Sequence, residues 1–251
     1  MANNTRVVVD QRKLSCLNAM GITVWESRAA STPSREAAAI SRVTSHDLEI
    51  PRAGSGPVDV SIPVSDADLL TLERIVSGCT RCGLHQTRTQ TVFGVGAADA
   101  RLMIIGEAPG ADEDRMGEPF VGRAGRLLNA MLLAVGLERE SVYIANIIKC
   151  RPPKNRDPKT EETACCAPYL KRQIELVQPK VIIAVGRVAA QNLLGTATAI
   201  GRLRGQVHKE PVSGTPVLVT YHPAYLLRSP GEKRKSWEDL KRARRLLEDQ
   251  S

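Results

Sequence analysis

Four short apolar runs, 102–105, 142–147, 181–185 and 217–221, constrain what this chain can fold into more than any other feature. Each has the length of a strand, is too short for a buried helix and is rich in Val or Ile, as strands buried on both faces are. Helical patterns separate the first three. Leu127, Leu128, Met131 and Val135 recur at three-to-four spacing and stop at Gly136; Tyr169, Leu170, Ile174 and Val177 do the same before Pro179. Strand, helix, strand, helix, strand implies a sheet covered on both faces. The expected fold is therefore α/β, with three α/β/α layers around a central, mainly parallel sheet of four strands.

The 251 residues, 42% of them apolar, suffice for one large domain or two small ones. Residues 66–251 read as the folded domain. Leu69, Leu70, Leu72, Ile75 and Val76 open it as an apolar helical face, and a helix over 232–249 closes it, aligning Trp237, Leu240 and Leu247 beneath dense mixed charge. Residues 1–65 read as an extension. Within it, 10–20 sets Leu14, Leu17 and Met20 on one helical face and 22–25 resembles a short strand. The stretch 28–65, rich in Ala, Ser, Thr, Pro and Arg without periodicity, reads as a linker.

No apolar run approaches the roughly eighteen residues that cross a bilayer, and no basic segment followed by an apolar one opens the chain. The expectation is a soluble, cytoplasmic monomer with no membrane partner. Net charge is +8, and most of the excess lies beyond residue 65, where 28 basic residues face 21 acidic ones. A basic folded domain suits a polyanion such as nucleic acid, although the same charge also serves solubility or a small anionic substrate.

The connection after the first run, residues 106–125, reads GEAPGADEDRMGEPFVGRAG. It crowds turn-forming Gly and Pro, acidic residues and one of the chain's two phenylalanines into the C-terminal end of a strand, where open α/β sheets build their sites. It lacks the Gly-Lys-Ser/Thr ending of a P-loop and is not G-x-G-x-x-G, which argues against a nucleotide hydrolase or a dehydrogenase. It offers instead a carboxylate, Glu107, beside turns that expose backbone N–H groups. Phe120, between Pro119 and Val121, suits a flat stacking partner, with plugging the core as the competing use.

Two further strand ends carry polar groups. The Asn146 carboxamide must satisfy two donors and one acceptor, against backbone or against the edge of a base. His222 ends the fourth run and is followed by Pro223, then Tyr225, Leu226, Leu227 and Arg228. Apolar side chains on an exposed loop beside a basic one fit a wedge that opens a base stack.

Cys79, Cys82, Cys150 and Cys166 are spaced C-x2-C, then 67 residues, then C-x15-C. Two residues between the first pair let both thiolates face one metal centre, and the fold must supply the others. Disulfides do not suit a cytosolic chain. Zinc remains open, but its knuckles draw on two closely spaced pairs, so the spacing fits a [4Fe-4S] cluster better. Pro168 is expected to sit in the first turn of a restarted helix, which places Cys166 in the entry turn as a ligand and leaves Cys165 as a small packed side chain. Cys16 reads as a free thiol.

Taken together, 106–110 (GEAPG), 117–125 (GEPFVGRAG), Asn146 with 149–153 (KCRPP), 155–158 (NRDP) and 222–228 (HPAYLLR) resemble the iron-sulfur, family 4 uracil-DNA glycosylases. The likeness runs from about residue 66 to 249, and five ordered motifs with four cysteines are far more specific than any one of them. The resemblance implies hydrolysis of the bond between deoxyribose and a flipped-out uracil in DNA. Phe120 would stack on the uracil, Asn146 would bond its Watson–Crick edge, Gly106 and Ala108 would wall the pocket, and His222 would face O2. Glu107 would orient water or stabilise the sugar cation, residues Tyr225 to Arg228 would enter the DNA, and the four cysteines would hold the cluster. Better-known uracil glycosylases place an aspartate where this chain has Ala108, so Glu107 is the carboxylate at hand. No His-containing insertion lies between Asn155 and Cys166, which favours turnover over covalent self-trapping. The rival expectation from another class is a noncatalytic iron-sulfur protein that binds nucleic acid or carries electrons.

Overall fold

The structure, a computed structural model, describes residues Pro63–Gln250. In chain order they form α1 (Leu69–Ser77), β1 (Val95–Gly96), β2 (Leu102–Gly106), α2 (Ala111–Met116), α3 (Arg123–Ala134), β3 (Tyr143–Asn146) and α4 (Thr160–Val177). There follow β4 (Val181–Val185), α5 (Arg187–Leu194), α6 (Ile200–Leu203), β5 (Val207–Lys209), β6 (Pro216–Thr220), α7 (Pro223–Arg228) and α8 (Lys233–Glu248). The expected N-terminal helix, short strand and free Cys16, with nearly all of the expected linker, lie outside the described residues.

The strands form one sheet in the order β1-β3-β2-β4-β6-β5. β3, β2, β4 and β6 are mutually parallel, and β1 and β5 pair antiparallel at the two edges. The four expected strands are thus the centre of a six-stranded sheet. The two edge strands escape the sequence because they are two and three residues long and carry no fully buried residue, so no period can register.

Alternate residues of the central strands feed two cores, as the pleat requires. Met103, Ile105, Ala145, Ile182 and Ala184 pack with Leu72, Val76, Tyr169, Ile174 and Ala189, from α1, α4 and α5. Leu102, Ile104, Ile144, Ile183 and Leu218 pack with Leu128, Leu132, Leu240 and Leu247, from α3 and α8. These are the three layers expected. From β2 the chain crosses one face to β3 on one side; from β3 it crosses the other face to β4 on the opposite side. The reversal leaves a crevice between the C-terminal ends of β2 and β4, where α/β sheets bind ligands.

Three local expectations are corrected. Pro168 does not restart a helix: α4 runs unbroken through it for 18 residues. Its buried face, Glu162, Cys166, Tyr169, Leu170 and Gln173, continues across the proline. Ala164, whose carbonyl loses its helical partner, is on the exposed side, where water can serve it. Leu70 is 68% exposed and off the inward face of α1, and Trp237 is 38% exposed while Leu240 and Leu247 anchor α8. Among the described residues no helix is long and apolar enough to cross a membrane.

Candidate active site

A cavity at the C-terminal ends of the central strands is lined by Glu107, Ala108, Phe120, Asn146, His222, Tyr225 and Arg228, together with Glu113, Asn155 and Asp157. Its residues come from far-apart stretches of sequence because parallel strands deliver their ends to one edge of the sheet. Glu107 follows β2, Asn146 ends β3, and His222 lies two residues beyond β6.

Gly106 determines how closely the walls approach. A Cβ there would stand 2.4 Å from Asn146 Oδ1 and 2.7 Å from the Phe120 ring, so any larger residue would displace both. Phe120 holds φ +55, an unusual conformation for an aromatic residue. Two contacts hold it there. The turn carries its carbonyl so close to Gly125 that a Cβ would overlap the oxygen at 1.7 Å, and its ring stacks on His222 with centroids 5.6 Å apart at 29°. The ring is 5% exposed and belongs to a hydrophobic core while also lining the cavity. Core packing and pocket wall are therefore not alternatives for Phe120.

Glu113, which sequence reading passed over, shapes this loop. Its carboxylate accepts the Gly110 N–H at 3.1 Å through one oxygen and the Val121 and Gly122 N–H groups, each at 3.1 Å, through the other. One side chain thus ties the start of the connection to the segment after Phe120. The signal was present: a glutamate three residues after a helix-start glycine is half of a capping box.

The Asn146 side chain is buried, and its Oδ1 has no hydrogen-bond partner. Asn146 lines the cavity, and a buried acceptor left unmatched there is costly. His222 accepts the Ala224 N–H at Nδ1, 3.1 Å away. A neutral ring that accepts at Nδ1 carries its proton on Nε2, which assigns Nε2 as a donor. Burial, aided by Arg228 and opposed by Glu113, pushes the ring's pKa down to about 4, so it stays neutral near pH 7.

Glu107 has the opposite displacement. Burial first, then the charge of Asp157, raise its carboxyl to about 7 against a smaller opposing pull from Arg187. Asp157 and Arg187 form an ion pair at the rim. Sequence could not flag this pair, since thirty positions separate its members and each looks like ordinary surface charge.

The segment Tyr225 to Arg228 is not an exposed loop but most of α7, with His222 as its N-cap and Pro223 in its first turn. The helix turns Leu226 fully inward, which removes it from the expected wedge, and leaves Tyr225 and Leu227 outside at 36% and 37% exposure. Tyr225 packs on Tyr221, ring centroids 5.1 Å apart.

A second, smaller cavity gathers Cys79, Cys82, Cys150 and Cys166, with Cys165, Arg81, Arg88 and Lys149 also on its wall. Cys79 and Cys82 lie in the turns after α1, Cys150 four residues past β3, and Cys166 within α4 on its inward face rather than in an entry turn. The described cysteines are all free. Cys165 is half-buried and its Sγ donates to the Arg81 carbonyl. Arg88 donates to Cys150 Sγ at 3.1 Å and the Tyr169 hydroxyl to Cys79 Sγ at 3.2 Å, as donors around ligand sulfurs do. Burial pushes the Cys82, Cys150 and Cys166 thiols up, Cys166 to about 11, the direction a bound metal would reverse. Among the described residues no three His, Cys, Asp or Glu side chains converge tightly enough to hold a single ion. The thiols ring a space instead.

A family model described as the Uracil DNA glycosylase superfamily matches residues 93–241. The chain is 47% identical over 175 residues to a type-4 uracil-DNA glycosylase of Archaeoglobus fulgidus, covering 67% of this chain and 88% of that protein. It is 43% identical to a type-4 uracil-DNA glycosylase of Thermotoga maritima, covering 68% and 91%. A type-5 uracil-DNA glycosylase of Pyrobaculum aerophilum is 34% identical, over 52% of this chain and 64% of that one.

Proposed function

The chain belongs to the uracil DNA glycosylase superfamily, in its type-4 branch, and from that premise we propose how its residues remove uracil from DNA. The protein is a DNA-repair glycosylase that hydrolyses the N-glycosidic bond of uracil and leaves an abasic site. The observation that carries the residue assignment is the convergence of Glu107, Phe120, Asn146 and His222 on one cavity.

The bond to be broken joins C1′ of the sugar to N1 of uracil. As it lengthens, its electron pair moves onto the base, chiefly toward O2, and positive charge gathers on the sugar. His222 donates from Nε2 to that oxygen; because the ring is neutral it acts as a hydrogen-bond donor and keeps its proton. A preorganised donor of this kind is worth about 3 kcal/mol in a site that excludes water. Asn146 reads the Watson–Crick edge, its unpaired Oδ1 accepting the uracil N3–H, which cytosine lacks. Phe120 stacks on the base, with Gly106 and Ala108 as wall. Ionised Glu107 stabilises the sugar cation and takes a proton from the water that attacks C1′, filling the place left by Ala108. The base leaves as the uracil anion and takes a proton from solvent while Glu107 returns its own to solvent, so the products are free uracil and a 1′-hydroxyl sugar.

Extruding the base costs a few kcal/mol. Leu227, Tyr225 and Arg228 form the wedge beside the vacated position. Cys79, Cys82, Cys150 and Cys166 hold a [4Fe-4S] cluster, supported by the all-sulfur donor set and by thiols that ring a space. A single zinc ion would need its sulfurs about 2.3 Å from one point, and no three of the described side chains converge that tightly. When bound, the cluster ties the turns after α1 to the segment after β3 and to α4, and supplies net negative charge; no redox step enters the hydrolysis.

Residues 66–251 make up the catalytic domain and 1–65 an extension, and the enzyme acts as a cytoplasmic monomer on uracil-containing DNA without a membrane partner. The noncatalytic alternative has no use for a convergent pocket with an unmatched acceptor. Purified, iron-loaded protein is expected to release uracil from a single-stranded oligonucleotide. Glu107→Gln, Asn146→Ala and His222→Ala are expected to lose that activity at full iron loading. Intact oligonucleotide beside an active control would overturn the assignment.

A further inference from the structure

Arg204, in the turn after α6, and Asp239, within α8, form an ion pair with both side chains largely buried. The guanidinium gives two hydrogen bonds to one oxygen of the carboxylate, from Nε at 2.9 Å and from Nη2 at 2.7 Å. A second side chain of α8, Arg242, grips the next residue of the turn by donating to the Gly205 carbonyl. The guanidinium plane is thereby held from α8 in one orientation.

That plane lies over Tyr221, its central carbon 4.3 Å from the ring centroid. Tyr221 packs in turn against Tyr225, with centroids 5.1 Å apart and the rings tilted by 52°. Asp239, Arg204, Tyr221 and Tyr225 thus form a continuous column from α8 to α7. Its far end is not closed by further packing: Tyr225 is exposed and lines the base cavity. Tyr221 and His222 are consecutive, so the chain beyond β6 supports two aromatic stacks. His222 stacks with Phe120, which serves the flipped base, and Tyr221 stacks with Tyr225, which keeps an uncovered aromatic surface. A ring already held in place has little freedom left to lose when a base stacks on it.

We propose that Arg204 is a positioning residue for DNA: through Tyr221 it fixes Tyr225 as a stacking platform for a base next to the flipped uracil. The inference rests on the uracil-DNA glycosylase reading, with α7 against the DNA. The platform accepts any neighbouring base, because stacking uses the face of a base and not its hydrogen-bonding edge.

The test measures KM and kcat for uracil excision by the iron-loaded full chain on two single-stranded oligonucleotides. One is ordinary, and the other carries a tetrahydrofuran residue in place of the base on each side of the uracil. For the wild type, loss of the neighbouring bases is expected to raise KM about tenfold with kcat changed less than about twofold. Arg204→Lys keeps a cation for Asp239 but loses the planar group on Tyr221. It is expected to raise KM about threefold on the ordinary oligonucleotide and to leave it unchanged on the other. In a Tyr225→Ala background the same substitution is expected to add nothing, because it acts through that ring. General loosening of the fold would raise KM on both oligonucleotides and in both backgrounds. Should Arg204→Lys not accumulate as folded protein, Tyr221→Leu removes the middle of the column, keeps the ion pair and is expected to give the same pattern. A wild-type KM that ignores the neighbouring bases, a variant KM equal to that of the wild type, or a variant effect undiminished in Tyr225→Ala would overturn the proposal. Wild-type protein that left the ordinary oligonucleotide intact would instead sink the glycosylase reading on which it rests.

Discussion

The two cavities of this domain are built from the same kinds of group and treat them oppositely. Around the cysteines, donors and acceptors meet one another: Arg88 meets Cys150, Tyr169 meets Cys79, and Lys149 meets Gln173 and Asn146. Around the base cavity, capacity is left unused. The Asn146 Oδ1 has no partner, the His222 Nδ1 is taken by the Ala224 N–H so that Nε2 carries the proton, and burial with the charge of Asp157 raises the Glu107 carboxyl to about 7. Satisfied buried polar groups rigidify, and unsatisfied ones wait for a ligand. The comparison separates the cavity proposed to hold a cluster from the one proposed to act on the base.

The sharpest way to break that separation is to remove groups from the acting site. His222→Ala and Glu107→Gln are each expected to slow excision by roughly 100- to 1000-fold, with iron content nearly unchanged. Loss of iron in either would show the two sites to be one. In the holding site, Cys150→Ser is expected to reverse the pattern, with lost iron and a lowered melting temperature before any specific defect in excision.

Within α7 the same contrast recurs one residue apart. Leu226→Ala empties a fully buried position and is expected to cost about 3 kcal/mol of stability, read by denaturant unfolding. Leu227→Ala should leave stability within about 0.5 kcal/mol but weaken excision from double-stranded more than from single-stranded DNA. Equal losses on both substrates would remove Leu227 from the wedge.

The pH dependence gives the next smaller effect. Glu107 acts ionised and its carboxyl is held at about 7, so kcat/KM is expected to climb as pH rises through about 7 and then level. His222, pushed down to about 4, remains neutral across that range and adds no limb there. A limb near the ordinary histidine value of 6.5 that persisted in Glu107→Gln would hand the titration to His222. The smallest effect is on stability. The folded chain holds the Glu107 proton more tightly than the unfolded chain, so this group's contribution is present below about 4.5 and is lost as pH rises to about 7. Glu107→Gln should match the wild type at the acid end and exceed it at the alkaline end by on the order of 1 kcal/mol, allowing for screening of a side chain that solvent still reaches.

The sequence by itself determined the three layers and the four central strands, because burial on both faces writes a continuous apolar run that needs no partner to be recognised. It also singled out Glu107, Phe120, Asn146 and His222, which the structure gathers on one cavity, since Gly, Pro, Glu and Phe at a strand end, with Asn and His at two others, are out of place in a core. Tertiary structure alone decided the rest. That Pro168 is carried inside α4 followed from packing on the far side of the helix, which outweighs one lost hydrogen bond. That Leu226 points in and Leu227 out depends on which face of a six-residue helix meets the core. That Asp157 and Arg187 flank Glu107, that Glu113 ties the Phe120 loop and that Lys149 meets Gln173 depends on contacts between distant stretches of chain. Local propensity is a property of neighbours in sequence, whereas charge and hydrogen bonding act between neighbours in space, and only the folded sheet makes these residues neighbours.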